Sequence, residues 1–364
     1  MKVAVLLSGG VDSSTALWQL KRSGCADLTA YYLKVWLEDE LSYMGDCPWE
    51  EDLSYAQAVC DQADVPLRVV SLQLEYYERV VEYALSELRA GRTPSPDIFC
   101  NQRIKFGAFF EHIDDSYDKV ATGHYARVDE SDGLYRLKRA PDPVKDQSYF
   151  LSHLSQFQMS KVLFPVGELL KSRVRDVAHE LNLPNMDRRD SQGICFLGKI
   201  RYPEFIRHYL GEREGPIIEA ETGEVVGTHR GYWFHTIGQR QGLGLGSGPW
   251  YVVRKNIAGN EIYVSHSNHV SDRARSRFRI GNLNWIAGAP VRTADLHAKL
   301  RHGPELNRCT ISGLDATGSP VMTEDAVTLD VAIERPDRGV APGQFAVLYD
   351  GEVCLGGGMI LEDA

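Results

Sequence analysis

The sequence predicts an α/β N-terminal domain on a parallel sheet, followed by a second half made of short strands. Three observations carry this. Apolar strand-like runs alternate with helix-like stretches over the first two hundred residues. A glycine-rich loop sits where the first run gives way to the first helical stretch. From about Gly211 onward, turn dipeptides and glycines recur between short β-rich runs.

Taken in order, residues 3–7 form an apolar run that stops at Ser8-Gly9-Gly10, as a buried parallel strand does. Residues 13–21 then read as a helix. Further strands are expected at 28–33, 67–72 and 119–122, with helices at 52–62 and 76–90 between them. Ligands of such sheets bind beyond the carboxyl ends of the strands. In the second half, strands are expected at 250–253, 261–264, 326–333 and 344–349, with turns at Glu221-Thr222-Gly223-Glu224 and Asp350-Gly351-Glu352. The boundary falls at 205, giving domains 1–205, 206–275 and 276–364.

Composition bounds the function. No apolar run approaches the roughly 18 to 20 residues that span a bilayer, so no membrane partner is expected. The apolar start is too short for a signal peptide and lacks transit-peptide character, so a cytoplasmic protein is the default expectation. The 7 cysteines stand at 25, 47, 60, 100, 195, 309 and 354 without a C-x-x-C pair, which disfavours a disulfide framework and a zinc ribbon. No metal site is expected. The net charge of −10 does not advertise nucleic-acid binding, but its distribution is uneven. Between Arg273 and Arg308 stand eight basic residues (273, 275, 277, 279, 292, 299, 301, 308) against Asp295 and Glu305. The alternate arginines 273 to 279 share one face if that stretch is a strand, giving a phosphate-binding surface. A solvated strand face is the plain alternative.

The loop Ser8-Gly9-Gly10-Val11-Asp12-Ser13-Ser14 carries the chemistry of an anion site. Its glycines let backbone approach a ligand, and the helix N-terminus behind it presents amides and a positive dipole end. It is not the G-x-x-x-x-G-K-[ST] phosphate loop, and no lysine is in place to reach the terminal phosphates. Asp12 therefore suggests Mg²⁺ as the counter-charge. A serine-capped glycine turn is the structural alternative.

Two cysteines stand in special surroundings. Cys100 follows Pro94-Ser95-Pro96-Asp97, where two prolines stiffen the backbone, and Arg103 and Lys105 lie on the helix behind it. Positive charge and a helix N-terminus favour a thiolate. Cys195 lies in Asp190-Ser191-Gln192-Gly193-Ile194-Cys195-Phe196, with Arg188, Arg189 and Lys199 nearby. Either could equally be a small buried packing residue. Cys47 and Cys60 read as packing residues.

The heptad 8–14 matches the signature of the ATP pyrophosphatases. With Pro96-Asp97, Cys100-Asn101, Thr122-Gly123-His124-Tyr125, Lys145-Asp146-Gln147-Ser148-Tyr149, Gly193-Ile194-Cys195-Phe196, Gly238-Gln239-Arg240-Gln241-Gly242-Leu243 and Pro342-Gly343-Gln344, the chain resembles the bacterial tRNA-specific 2-thiouridylases. The resemblance implies a Rossmann-like domain of the adenine nucleotide alpha-hydrolase type, a small β-rich domain and a C-terminal β-barrel that binds tRNA. It implies ATP bound by Ser8, Gly9, Gly10, Val11, Asp12, Ser13 and Ser14 with Leu33 and Gly123. Ser95, Pro96 and Asp97 would meet the target base, although relatives usually carry Asn at the position of Ser95. His124, Lys145, Asp146, Gln147, Arg301, His302 and Gln344 would touch tRNA; relatives commonly have Arg-Tyr where Arg301-His302 stands. Cys195 would carry a persulfide from a sulfur-donor protein, a cysteine desulfurase or a relay protein. Cys100 would be the second thiol, and Asp97 a base for the uridine N3 proton. The tRNAs would be those for Lys, Glu and Gln.

Two other readings compete. A small-molecule ATP pyrophosphatase needs neither cysteine, and a non-catalytic nucleotide- or RNA-binding module forms no AMP.

Overall fold

The computed structural model describes residues 1–35, 49–190, 201–267, 269–288, 295–313, 322–323 and 326–362. The first sheet contains β1 (Lys2–Leu6), β2 (Asp27–Lys34), β3 (Leu67–Ser71), β4 (Lys119–Ala121) and β7 (Val162–Leu163). Its order is β3-β2-β1-β4-β7, and every pair is parallel. Along β1 and into the residue after it, Val3, Val5 and Leu7 enter one core with Leu17, Val59 and Cys60. Ala4 and Leu6 enter the other with Tyr31, Leu85 and Phe109. Period-two alternation with both faces buried is why this strand reads as an unbroken apolar run.

The expected strands and helices of this half are present, the helices with longer bounds and the strands within a residue of those expected. The helix after the loop runs Val11–Arg22, and the next Trp49–Ala63. The stretch expected at 76–90 is Gln73–Tyr76, a π-helical turn Tyr77–Val81, and Glu82–Arg89. Several elements were not anticipated, a hairpin among them. Strands β5 (Ala126–Ser131) and β6 (Leu134–Arg139) form a hairpin closed by Asp132 and Gly133, both at positive φ (56° and 74°). Asp-Gly is the favoured pair for such a turn, so the signal was there to read.

The second sheet comprises β8 (Gly215–Glu219), β9 (Val225–His229), β10 (Trp250–Asn256) and β11 (Glu261–His266), in the order β10-β11-β8-β9. Ile217, Val252, Ile262 and Val264 form its small core with Tyr232 and Leu243. The third contains β12 (Arg275–Trp285), β13 (Leu296–Lys299), β14 (Asn307–Ser312), β17 (Leu329–Asp337), β18 (Phe345–Asp350) and β19 (Val353–Ile360). A short pair, β15 (Met322–Thr323) and β16 (Ala326–Val327), stands apart. Because β12 pairs with both β17 and β19, the six long strands close into a barrel. The hairpin of the first half adds to this barrel: Lys138 and Leu137 pair with Val353 and Cys354 of β19. No helix among the described residues is long and apolar enough to cross a membrane.

Candidate active site

The loop 8–14 lies after β1, between β2 on one side and β4 on the other. Chain order reverses direction across this point, which opens the crevice where such sheets bind ligands. Gly9 has φ +72°, and a Cβ on it would lie 2.3 Å from the carbonyl oxygen of Asp52. Gly123, which follows β4, packs against the loop itself: a Cβ there would lie 2.6 Å from the Ser13 nitrogen. Leu33 stands two residues beyond Tyr31, the partner of Leu6, on the same rim. The hydroxyls are turned inward to hold the loop, with Ser13 Oγ and Ser14 Oγ each donating to Gly10 O at 3.0 Å. Ser8 N donates to Ser13 Oγ at 3.2 Å. The amides of Val11, Asp12 and Ser13 have no protein acceptor among the described residues, as expected of a first helical turn.

Four residues to which the sequence reading gave no part at the loop complete its surroundings. Asn185 is buried and donates to Gly9 O at 2.8 Å and Ser14 Oγ at 2.9 Å. Arg188 donates to Gly9 O at 3.1 Å and is paired with Asp52. Tyr125 OH donates to Asp12 Oδ1 at 2.8 Å; burial first, then the Asp12 charge, raise its pKa far above the usual tyrosine value. Lys171 Nζ lies 2.6 Å from the same Asp12 oxygen and 2.7 Å from Asp190 Oδ1. A lysine thus reaches the loop's carboxylate from 159 positions away, a contact the sequence reading did not foresee. Asp190 also receives Arg175 and, at 2.6 Å, Lys145. Burial alone would raise the Asp190 pKa, but hydrogen bonds and charge from Lys145 and Lys171 prevail and hold it well below the usual carboxylate range.

On the cysteine side, the helix begins at Pro96, where a proline suits the first helical position. Ser95 N donates to Tyr83 OH at 3.3 Å. Asp97 therefore takes the first turn, and Cys100 (3% exposed) opens the π-helical stretch Cys100–Ala108 beyond it. A helix dipole acts within the first turn, so the expected N-terminal effect falls on Asp97 rather than Cys100. The cations behind it are also engaged. Lys105 donates to Asn101 Oδ1 at 3.1 Å, and Arg103 stacks 3.8 Å over Phe99 while donating to Arg79 O. Cys195, with its neighbours 191–200, and Cys47 lie outside the described residues. Cys60 is fully buried in the first core.

The residues assigned to tRNA divide by accessibility. His124 is 9% exposed, bonded through Nδ1 to Thr122 Oγ1 at 2.7 Å and set against Phe106 and Phe164. Burial, then the Lys105 charge, push its pKa well down, so it is neutral at pH 7. Gln147 Oε1 accepts from Tyr125 N at 3.0 Å, which ties its segment to the Asp12 contact. Asp146 is fully buried; it accepts from Lys299 Nζ at 2.7 Å, Ser148 Oγ at 2.8 Å and Arg139 Nε at 3.3 Å. Burial opposes its ionisation, but the Lys299 charge and hydrogen bond outweigh that and lower its pKa. Its side chain is thus occupied within the protein, joining the first half to the barrel. Arg301 pairs bidentately with Asp337 at 2.7 and 3.0 Å. His302 stacks on Phe150 at 4.9 Å and bonds Asp146 O. Both line an open cleft of about 540 Å³ with Glu305, Asn307 and Arg335. Gln344 is half-buried beside Gly343 (φ +89°).

The arginine run is only partly free to meet phosphate. Arg273 is paired with Glu221 at 2.9 Å, and Arg275 and Arg279 stand opposite Asp337 and Asp330 in the ladder. A register irregularity between Arg275 and Arg277 breaks the simple alternation expected there. Among the described residues no cluster of three or more His, Cys, Asp or Glu could hold a metal.

Three family models match consecutive parts of the chain. They are described as a tRNA methyl transferase HUP domain (residues 1–199), a tRNA methyl transferase PRC-barrel domain (203–266) and an aminomethyltransferase beta-barrel domain (275–360). A tRNA-specific 2-thiouridylase of Bacteroides thetaiotaomicron is 45% identical over 366 residues, covering 99% of each chain. One of Parabacteroides distasonis is 43% identical over 369 residues, covering 100% of this chain and 99% of its own. A solved U34-tRNA thiolase of Methanococcus maripaludis covers 57% of this chain and 67% of its own at 16% identity and a TM-score of 0.34, too slight a likeness to carry an argument. Whole-length identity at this level, across all three sheets and the loop, places the chain in the family of tRNA-specific 2-thiouridylases.

Proposed function

We propose that this chain is an ATP-dependent tRNA-uridine 2-sulfurtransferase. The observation that carries the nucleotide part is the apposition of Gly123 to the loop 8–14 at the sheet's switch point, with Lys171 and Asp12 at its mouth. The whole-length similarity to thiouridylases carries the tRNA part. The first-turn amides would bind phosphate oxygens, and Lys171 would neutralise charge as pyrophosphate leaves. Asp12 is the loop carboxylate that could hold Mg²⁺, with phosphate oxygens and water completing the shell, and the ion would lower the charge of the leaving group. The uridine O2 attacks the α-phosphorus, pyrophosphate departs, and C2 becomes activated by an AMP leaving group. The terminal sulfur of a Cys195 persulfide then attacks C2 and AMP is expelled. Cys100 either attacks the persulfide to liberate sulfide or resolves the sulfur–sulfur bond after transfer, forming a disulfide with Cys195 in both cases. A thiol reductant then restores both cysteines.

Ser95, Pro96 and Asp97 are assigned to the target base, which must leave its stack to reach them. Asp97 at a helix start, beside Cys100, supports a role at the N3 proton. Arg301 and His302 on an open cleft, and Lys145 and Gln344 at partly exposed positions, support contacts to RNA. His124 and Asp146 would act by shaping that surface from within. The tRNAs for Lys, Glu and Gln, and a cysteine desulfurase or relay protein as sulfur donor, complete the reading, with the cytoplasm as its compartment.

The test is a thiolation assay with unmodified tRNA, Mg-ATP and a persulfide donor. Wild type forms thiouridine and tRNA-dependent AMP; Cys100→Ser and Cys195→Ser form no thiouridine; Lys171→Met forms no AMP. Thiolation at the wild-type rate by either cysteine variant removes that cysteine from the scheme. Absence of both thiouridine and AMP from folded wild type overturns the function.

A further inference from the structure

The four-stranded sheet β8–β11 contains none of the residues assigned to ATP, sulfur or the target base, yet it grips the chain that leads to them. The helix Glu82–Arg89 ends at Ala90 and Gly91 (φ +76°), where the chain turns toward Thr93 and Pro94. A helix leaves its last carbonyls without intrahelical donors. Here the second sheet supplies them. Tyr232 OH donates to Arg89 O at 2.6 Å, and Lys255 Nζ donates to Gly91 O at 2.8 Å. Thr93 Oγ1 donates to Thr236 Oγ1 at 3.2 Å. Gly91 lies so close to Ile257 that a Cβ on it would meet that side chain at 2.5 Å. The barrel closes the other side: Thr93 N donates to Pro342 O at 2.8 Å, and a Cβ on Gly343 would lie 2.7 Å from Thr93 O.

Residues 89–93 are thus a joint held by all three parts of the molecule. From Thr93 to Cys100 there is little slack, because Pro94 and Pro96 have fixed φ and both are buried. Pro96 then starts the helix that carries Asp97, and Cys100 follows it directly. A displacement of the joint is therefore delivered to Asp97 and Cys100 rather than absorbed by the loop between.

We infer that Tyr232 and Lys255 are positioning residues for the reaction: through Arg89 O and Gly91 O they set where Asp97 and Cys100 stand. This rests on the proposed sulfur transfer for its kinetic consequence, but its geometric content does not. Neither residue contacts the loop 8–14, so ATP binding is separate from it.

The test uses the full chain with Tyr232→Phe, Lys255→Met and the double variant. Val264→Ala serves as control, since it loosens the core of the same sheet and removes neither hydrogen bond of the joint. Three quantities are read: melting temperature, affinity for a non-hydrolysable ATP analogue, and the alkylation rate of Cys100 by iodoacetamide, located by mass spectrometry. Thiolation kcat and KM for tRNA are measured beside them. The double variant is expected to alkylate Cys100 at least fivefold faster and to lose about tenfold in kcat, with ATP affinity within twofold of wild type. Val264→Ala, matched for melting temperature, is expected to leave the alkylation rate within twofold. An unchanged alkylation rate in the double variant overturns the inference, as does an equal rise in Val264→Ala. Because alkylation needs no turnover, a wild type that fails to thiolate refutes the function while the joint is still decided.

Discussion

Replacing Lys299 by methionine isolates one buried contact between the first half of the chain and the barrel. Both side chains of the Lys299–Asp146 pair have 0% exposure, and Nζ stands 2.7 Å from Oδ2. Removing one member of such a pair leaves the other charge buried, which costs about 3–5 kcal/mol. Asp146 keeps Ser148 Oγ at 2.8 Å and Arg139 Nε at 3.3 Å, so the low end, about 3 kcal/mol, is expected. That is roughly a hundredfold in the unfolding constant and about 6–12 °C in melting temperature for a unit of this size. The pH dependence carries the finer test. In wild type the Asp146 pKa is held below its unfolded value, so its contribution is present above the unfolded pKa and is lost as pH falls through the folded one. Without Lys299, burial dominates and the folded pKa rises above the unfolded one. Protonation then favours the folded state, and the deficit of the variant shrinks as pH is lowered from 7 toward the unfolded pKa. Asp146→Asn added to Lys299→Met should recover much of the loss at pH 7. Calorimetry and urea titrations between pH 7 and 4.5 read all of this. A deficit below about 1 kcal/mol at pH 7, or one that widens on acidification, would refute the reasoning.

Two further outcomes are expected. Gly123→Ala places a Cβ 2.6 Å from the Ser13 nitrogen, which is backbone and cannot swing aside, so affinity for an ATP analogue should fall more than tenfold by titration calorimetry. Retained affinity with an intact fold would remove Gly123 from the nucleotide site. Burial pushes His153 and His235 each down to about 4. At pH below about 6.5 the unfolded chain takes up protons that the folded chain refuses, so the contribution of these two histidines should decline from pH 6.5 to 4 and stop changing below. His153→Gln should flatten part of that decline in urea titrations, and an unaltered slope would count against it.

Local sequence determined the elements and the loop. The unbroken apolar run of β1 marked its strand because both of its faces are buried, and the turns at Gly223 and Gly351 were legible because each takes positive φ (77° and 55°). Pro96 marked the start of the Asp97 helix, but nothing local said that Arg103 would lie over Phe99 or that Lys105 would bond Asn101. The Asp132-Gly133 turn announced a hairpin, but nothing in its own residues said that it would leave its neighbours in sequence and extend the barrel at Val353 and Cys354. Partner choice of that kind has no local signature, since periodicity names the buried face of an element and not what covers it. The same reason hid Lys171 behind Asp12, Lys299 behind Asp146, and Tyr232 and Lys255 beneath the turn at Gly91. A charge or hydroxyl far along the chain looks like any solvated side chain until tertiary structure removes its water. What it then bonds is decided by which backbone carbonyl or carboxylate lost its water in the same place.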